Sequence, residues 1–314
     1  MPQHSWNHFI GLILFIYSAA HARPITSQNS TIAEITKQKQ LVSSQMQPIR
    51  LTSIAIEPDA TSNERHSFLI QGGLHGNETL TSEFVEWLSH KVQQGQSSLN
   101  QLPAGSTIDF LPQANPDAFG ISRYNSNRVN LNRNFGVLWG MSTEPHGEQA
   151  FSESETQAIR QLMQTRRYLS AVDIHGYINW VVAPSPPQVL RESNNPMNRL
   201  YRGWIEEIKN NLKVLPGYRV KKAGLLGDGG SFEDWAFWGN QTMSFCLEMS
   251  HPQRLAVSRH SAEQKFDTFE AYESYIHRMF SSAIKLHQQH TQPDSQSIVS
   301  KDTATNESSE KKGH

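Results

Sequence analysis

The chain has one cysteine, Cys246, in 314 residues, so no intramolecular disulfide can staple it. It has almost no net charge, −1 at pH 7, so neither nucleic acid nor an anionic membrane surface is an expected partner. It has no apolar run long enough for a stable membrane span; the one continuous apolar stretch covers residues 9–20. No Lys or Arg precedes that stretch, only His4 and His8. No internal repeat is present. Hydrophobic residues make up 37% and charged residues 18%, which is the profile of a globular chain with enough length for one large domain or two small ones.

The apolar stretch has signal-peptide length and is followed by Ala20-His21-Ala22, a small-x-small cleavage pattern. Residues 1–22 are therefore expected to be a cleavable export signal. Export without disulfides fits a bacterial periplasm better than a eukaryotic secretory route. Asn77-Glu78-Thr79 is a glycosylation sequon inside a candidate site, where a glycan would be obstructive. Residues 23–47 read as a polar linker, 48–288 as the folded domain and 289–314 as a disordered polar tail.

Within the domain, 49–56, 67–71, 106–113, 169–176 and 242–250 read as strands. Helical spacing of Leu80, Phe84, Trp87, Leu88 and Val92 predicts a helix over 78–93. Further helices are predicted over 151–167, 195–212 and 262–286, with a short one over 231–238. Strands alternating with helices predict a single α/β domain with a mostly parallel, doubly wound sheet flanked by helices. Residues 114–149 show no periodicity, and a loop of that length inside a compact domain is usually functional or disordered.

Four polar residues fall at strand ends or inside a strand: His75 and Glu78 after the second, His175 at the end of "AVDIH", and Glu248 within "SFCLEM". Ligands gather outside the carboxyl ends of strands in open α/β sheets. Two His and one carboxylate make a three-ligand catalytic zinc set with a fourth position for water. Taken singly, His75 reads as a loop histidine and His175 as a satisfied strand-end histidine. Glu248 is harder to dismiss, because an unpaired carboxylate in an apolar strand is costly. Gly72, Gly73 and Gly76 are expected to permit a tight turn and close approach of the chain to a metal.

From about Pro48 to about Pro252 the sequence resembles the zinc metallocarboxypeptidases of the carboxypeptidase A superfamily. Five segments carry the resemblance in order: "GGLHGNE", "NPDAFGISRYNSNRVNLNRNFG", "GEQAFSESET", "DIHGY" and "GGSFEDWAFWGNQTMSFCLEM". The resemblance implies one zinc ion per chain held by His75, Glu78 and His175. It implies Glu248 as general base and later acid, Arg123 as the group that polarises the scissile carbonyl, and Asn132 and Arg133 as the grip on a terminal carboxylate. Arginine's planar fork suits that last task.

Three positions depart from the family pattern. Asn130 stands where an Asp normally accepts a hydrogen bond from the first zinc histidine; Asp173, on the same side of its strand as His175, is a conceivable substitute. Leu226 stands where digestive members carry a mobile tyrosine, and Tyr218 is the nearest candidate. Glu233 occupies the specificity position, which implies a substrate with an ammonium group; the other reading is a solvated helix-start glutamate stabilised by the dipole. The expected function is that of an exported zinc carboxypeptidase or amidase acting on a short peptide with a free carboxylate. Its lack of a pro-domain and Glu233 are similar to murein tripeptide amidases, which cleave the γ-D-glutamyl bond to diaminopimelate. The alternatives are a peptidase for basic C-terminal residues, a deacylase similar to succinylglutamate desuccinylases, and a non-catalytic peptide-binding module on the same scaffold.

Overall fold

Along the second strand, Phe68 and Ile70 pack into one apolar cluster and Leu69 into another. That alternation places apolar cores on both faces of one sheet. A computed structural model describes residues 41–56, 65–185, 196–222, 229–251 and 261–291. The leader, residues 23–40 of the linker, Leu226 and the tail beyond 291 lie outside the described residues.

The strands are β1 (Thr52–Ala55), β2 (Ser67–Gly72), β3 (Thr107–Leu111), β4 (Ser170–Gly176), β5 (Trp180–Ala183), β6 (Arg219–Lys222) and β7 (Met243–Met249). They form one seven-stranded sheet in the order β1-β3-β2-β4-β7-β5-β6. The centre, β3-β2-β4-β7, is parallel throughout. β1 joins β3 and β5 joins β7 antiparallel, while β5 and β6 run parallel. The sheet is therefore mixed and mostly parallel, as expected.

The longer helices among the described residues are α1 (Thr79–Gln93), α2 (Ser154–Arg166), α3 (Pro196–Asn211) and α4 (Ser261–Thr291), and short helical turns cover Phe232–Asp234 and Trp235–Gly239. α1, α3 and α4 share one face: Phe84, Leu88, Trp204, Ile208, Tyr272 and Phe280 pack with Phe68, Ile70, Val172 and Phe245. α2 covers the other face with Ile159, Leu162 and Met163 against Leu69 and Ala171. Phe135, Phe151, Phe232 and Trp235 close that second core by edge and stacked ring contacts. None of the described helices is long and apolar enough to cross a membrane.

The helices and central strands lie within a few residues of their predicted bounds. Two strands were not predicted: β5 and β6 are only four residues each, too short for alternation to stand out. α4 runs to Thr291, past the expected end of the domain at 288. Residues 112–153 contain no strand or α-helix, only the tight turns Pro116–Ala118 and Leu131–Arg133. This long connection is knotted by Asn134. Its Nδ2 donates to the carbonyls of His146 and Gln149, and its Oδ1 accepts from the Glu153 amide and Thr156 hydroxyl.

Candidate functional site

β2 ends in Gly72, and the chain turns sharply before α1. Gly73 has φ +66°, a conformation that favours glycine. A Cβ on Gly76 would lie 2.2 Å from the Ala118 carbonyl oxygen, so the long loop packs directly on this turn. The close approach at Gly76 is thus to the loop backbone. His75 and Glu78 are buried on this turn, one side chain before and one at the start of α1. His175 arrives from the end of β4, where it pairs in register with Glu248 of β7. Paired residues on parallel strands share a face, so these two stand side by side.

The three potential ligands converge. His75 Nδ1 is 2.9 Å from Glu78 Oε1, His175 Nδ1 is 3.1 Å from Glu78 Oε2, and the two Nδ1 atoms are 3.0 Å apart. One ligand atom from each lies within 4.8 Å of the other two. The second ring nitrogens are engaged elsewhere. His75 Nε2 meets Asn130 Oδ1 at 3.0 Å, and His175 Nε2 meets Asp173 Oδ2 at 2.7 Å. Both acceptors call for a proton on Nε2, which leaves the Nδ1 lone pairs facing each other and a carboxylate. Such a group of electron-pair donors is satisfied by a cation, so the residues fit a zinc ion with two nitrogen ligands and one oxygen ligand.

The close contacts among the three shift the ionisation of each of them. Burial, together with the neighbouring His175 and Arg123, lowers the His75 pKa. Burial also acts against a charged His175, but Asp173 and Glu78 outweigh it and hold its pKa well above the usual value. Burial would raise the Glu78 pKa, yet its bonds to His175 and His75 hold the carboxyl well below the usual range. The Gly176 amide adds a third hydrogen bond at 3.1 Å to Glu78 Oε2.

Glu248 is mostly buried, and burial raises its pKa while His175 and Arg123 pull it down. Its Oε2 has no hydrogen-bond partner among the described residues. Arg123 reaches in from the long loop, with Nη1 3.1 Å from His75 Nδ1 and 3.3 Å from Glu78 Oε1. Asn132 and Arg133 are buried in the Leu131–Arg133 turn. Asn132 Oδ1 accepts from the Phe232 amide at 2.8 Å, and its Nδ2 lies 3.4 Å from His175 Nε2. Arg133 Nη1 donates to the Asn132 carbonyl at 2.7 Å.

Glu233 is 4% exposed, so the solvated helix-start reading does not hold. Burial, helped by the Asp173 charge, pushes its pKa up to about 7, and one carboxyl oxygen has no hydrogen-bond partner among the described residues. Its neighbour Asp234 is likewise raised, first by burial and then by Glu233. Tyr218, the nearest tyrosine candidate, donates to Tyr272 of α4 at 2.8 Å.

Sequence reasoning missed Glu144. This carboxylate lies 3.5 Å from Arg123 Nε and 3.2 Å from Arg133 Nη2, and it accepts from Asn130 Nδ2 at 2.7 Å. A single acid in an aperiodic loop gives no local signal. Its only clue was the neutral Asn130, which left a charge unaccounted for.

Comparison with known proteins follows the same lines. The sequence model described as "zinc carboxypeptidase" matches residues 25–282. Carboxypeptidase D of Anas platyrhynchos is 22% identical over 233 residues, covering 68% of this chain but 16% of that protein. Carboxypeptidase B of Helicoverpa zea is 25% identical over 235 residues, covering 64% of this chain and 54% of that one. The chain therefore spans about half, or much less, of the length of these relatives. Among solved structures, carboxypeptidase A from Helicoverpa armigera superposes with a TM-score of 0.59 at 20% identity, over 82% of this chain and 74% of that one. At that identity the likeness is one of fold.

Proposed function

The chain belongs to the zinc carboxypeptidase family, and from that premise we propose that it is an exported zinc-dependent carboxypeptidase or amidase. Its substrate would be a short peptide with a free carboxylate and an ammonium group on the terminal residue. The observation that carries the substrate half is a buried Glu233 within the electrostatic reach of a buried Arg133. Glu233 is a buried carboxyl with an oxygen that has no hydrogen-bond partner among the described residues, and it feels the charges of both Arg133 and the potential ligand His175. A diamino acid presents both complementary groups. In a bacterial periplasm the fitting class is a cell-wall peptide, cleaved at the γ-D-glutamyl bond to diaminopimelate. Localisation rests on the leader-like residues 1–22.

The roles follow from the geometry. Zinc held by His75, Glu78 and His175 would lower the pKa of a water toward about 7 and polarise a carbonyl. Glu248, beside His175 with an unbonded carboxyl oxygen, accepts the water proton and returns it to the leaving amine. Arg123 Nη1 donates to the developing oxyanion. Arg133 takes the substrate carboxylate, with Asn132 fixing the turn that carries it. Glu233, neutral or charged near pH 7, ionises fully when an ammonium docks against it.

The test is mass spectrometry of a peptidoglycan digest treated with the protein, with and without a chelator. Loss of terminal diaminopimelate from the tripeptide, blocked by the chelator, is the expected result. Trimming of ordinary C-terminal Lys with no action on γ-D-glutamyl-diaminopimelate peptides would overturn the cell-wall reading and leave the basic-residue peptidase. That second reading rests on the same Glu233.

A further inference from the structure

His75 reaches a neutral amide, Asn130, where its Nε2 needs an acceptor. An amide can present oxygen or nitrogen, so its orientation decides which tautomer of His75 is stable. Two contacts settle that orientation. The Asn132 backbone amide donates to Asn130 Oδ1 at 3.0 Å. On the other side, Asn130 Nδ2 donates to Glu144 Oε2 at 2.7 Å. An ionised carboxylate only accepts, so Glu144 requires the NH2 end of the amide. Oδ1 must then face His75, the His75 proton must sit on Nε2, and the Nδ1 lone pair must face Glu78 and His175.

We propose that Glu144 is the positioning residue for the first metal ligand: through Asn130 it fixes the tautomer of His75 and supplies the negative charge that the neutral amide lacks. This rests on the reading of His75, Glu78 and His175 as the zinc site. The chain Glu144–Asn130–His75 runs through two hydrogen bonds of 2.7 and 3.0 Å, and charge on the outer carboxylate polarises the amide and the imidazole in turn. The opposite ligand has a direct arrangement, with the Asp173 carboxylate on His175. One histidine thus meets its carboxylate directly and the other meets it one residue removed. Glu144 is kept in place by Arg133 and Arg123, and its backbone by the Ser142 hydroxyl and by His146. The same two arginines thereby tie the substrate side of the site to the metal side.

The proposal is tested by zinc affinity, measured by competition with a chromophoric chelator on the full chain. Four proteins are compared: wild type, Glu144→Ala, Asn130→Asp, and the double variant. Glu144→Ala is expected to bind zinc 10–100-fold more weakly, the usual cost of losing an outer-shell partner. Asn130→Asp alone places a second carboxylate against Glu144 and is expected to give no gain. The double variant puts a carboxylate directly on His75 and is expected to return to within about threefold of wild type. This non-additivity is a readout that a merely structural role for Glu144 would not produce. Unchanged zinc affinity in Glu144→Ala would overturn the proposal while leaving the zinc site intact. A weakened Glu144→Ala that Asn130→Asp does not rescue would overturn it as well. Absence of zinc binding by wild type would overturn the metal reading and this proposal together. If Glu144→Ala does not fold, Glu144→Gln, which keeps an acceptor without the charge, takes its place, with the same rescue expected and the same outcomes decisive.

Discussion

Glu78 and Glu233 are the same side chain, both buried, and both feel His175, yet their pKa values are shifted in opposite directions. Glu78 receives His75, His175 and the Gly176 amide, and those partners overcome the cost of burial. Glu233 feels Asp173 against His175 and Arg133 and has one oxygen with no hydrogen-bond partner among the described residues, so burial prevails. The lesson is that burial alone does not set the charge of a carboxylate; the hydrogen bonds that both of its oxygens receive decide it. One wall of the site is charged and arranged to receive a metal cation. The other, which includes Glu248, holds its acids above their usual pKa by burial.

The largest effect should come from the second wall. Glu248→Gln is expected to lower kcat by 10²–10⁴-fold, the range for loss of a general base, with zinc still bound stoichiometrically. Retention of a tenth or more of the activity would remove Glu248 from the proton transfer. Glu233→Gln comes next, and it tests stability as well as specificity. The folded pKa is raised from 4.5 to about 7, so the stability contribution is present below pH 4.5 and is lost as pH rises through 7. At pH 8 the neutral variant should therefore be more stable than wild type by about 3 kcal/mol. At pH 4 the two should be equal. Urea unfolding of the metal-free protein at the two values checks this. Glu78 has the reverse sign: its depressed pKa gives stability above pH 4.5 that is lost as pH falls. The two glutamates thus bound the pH optimum from opposite sides.

Arg133→Ala is the third test. Loss of a charge-assisted contact to the substrate carboxylate, worth about 1.5–3 kcal/mol, predicts a KM raised roughly 10–100-fold with a smaller change in kcat. Equal loss in kcat with unchanged KM would move Arg133 from substrate binding to the transition state.

The difference between the walls also explains what could be read from the sequence. His75, Glu78, His175 and Glu248 lie at or beside strand ends, and a strand is legible from its apolar run. Once "FLIQG", "AVDI" and "SFCL" are strands, their polar neighbours fall on one edge of a parallel sheet. The other side of the site comes from residues 114–149, where no period exists to be read. Arg123 and Arg133 could be picked out there by motif, but Glu144 could not, because its meaning comes from Asn130, Arg123 and Arg133 meeting in space. The short strands β5 and β6 were missed for a related reason: β5 takes its place by pairing with β7, not by a pattern of its own. The burial of Glu233 was likewise invisible, since an acid at a helix start is ordinarily solvated.

The smallest expected effect separates the walls most finely. Arg123 stands with the metal wall, in contact with His75 and Glu78, but its charge also lowers the pKa of Glu248. Arg123→Gln removes that charge while keeping a donor. A bound dication would add its own field and set the absolute position of the limb, but the direction of the change is fixed by sign. The rising limb of kcat/KM, which reports the free-enzyme base, should move to higher pH by less than about one unit. A limb that stays in place as kcat falls would mean that Arg123 acts on the oxyanion alone. A limb that moves to lower pH cannot come from the loss of a neighbouring positive charge, which raises the pKa of acids and cationic bases alike, and would mean that the limb reports a group that does not feel Arg123.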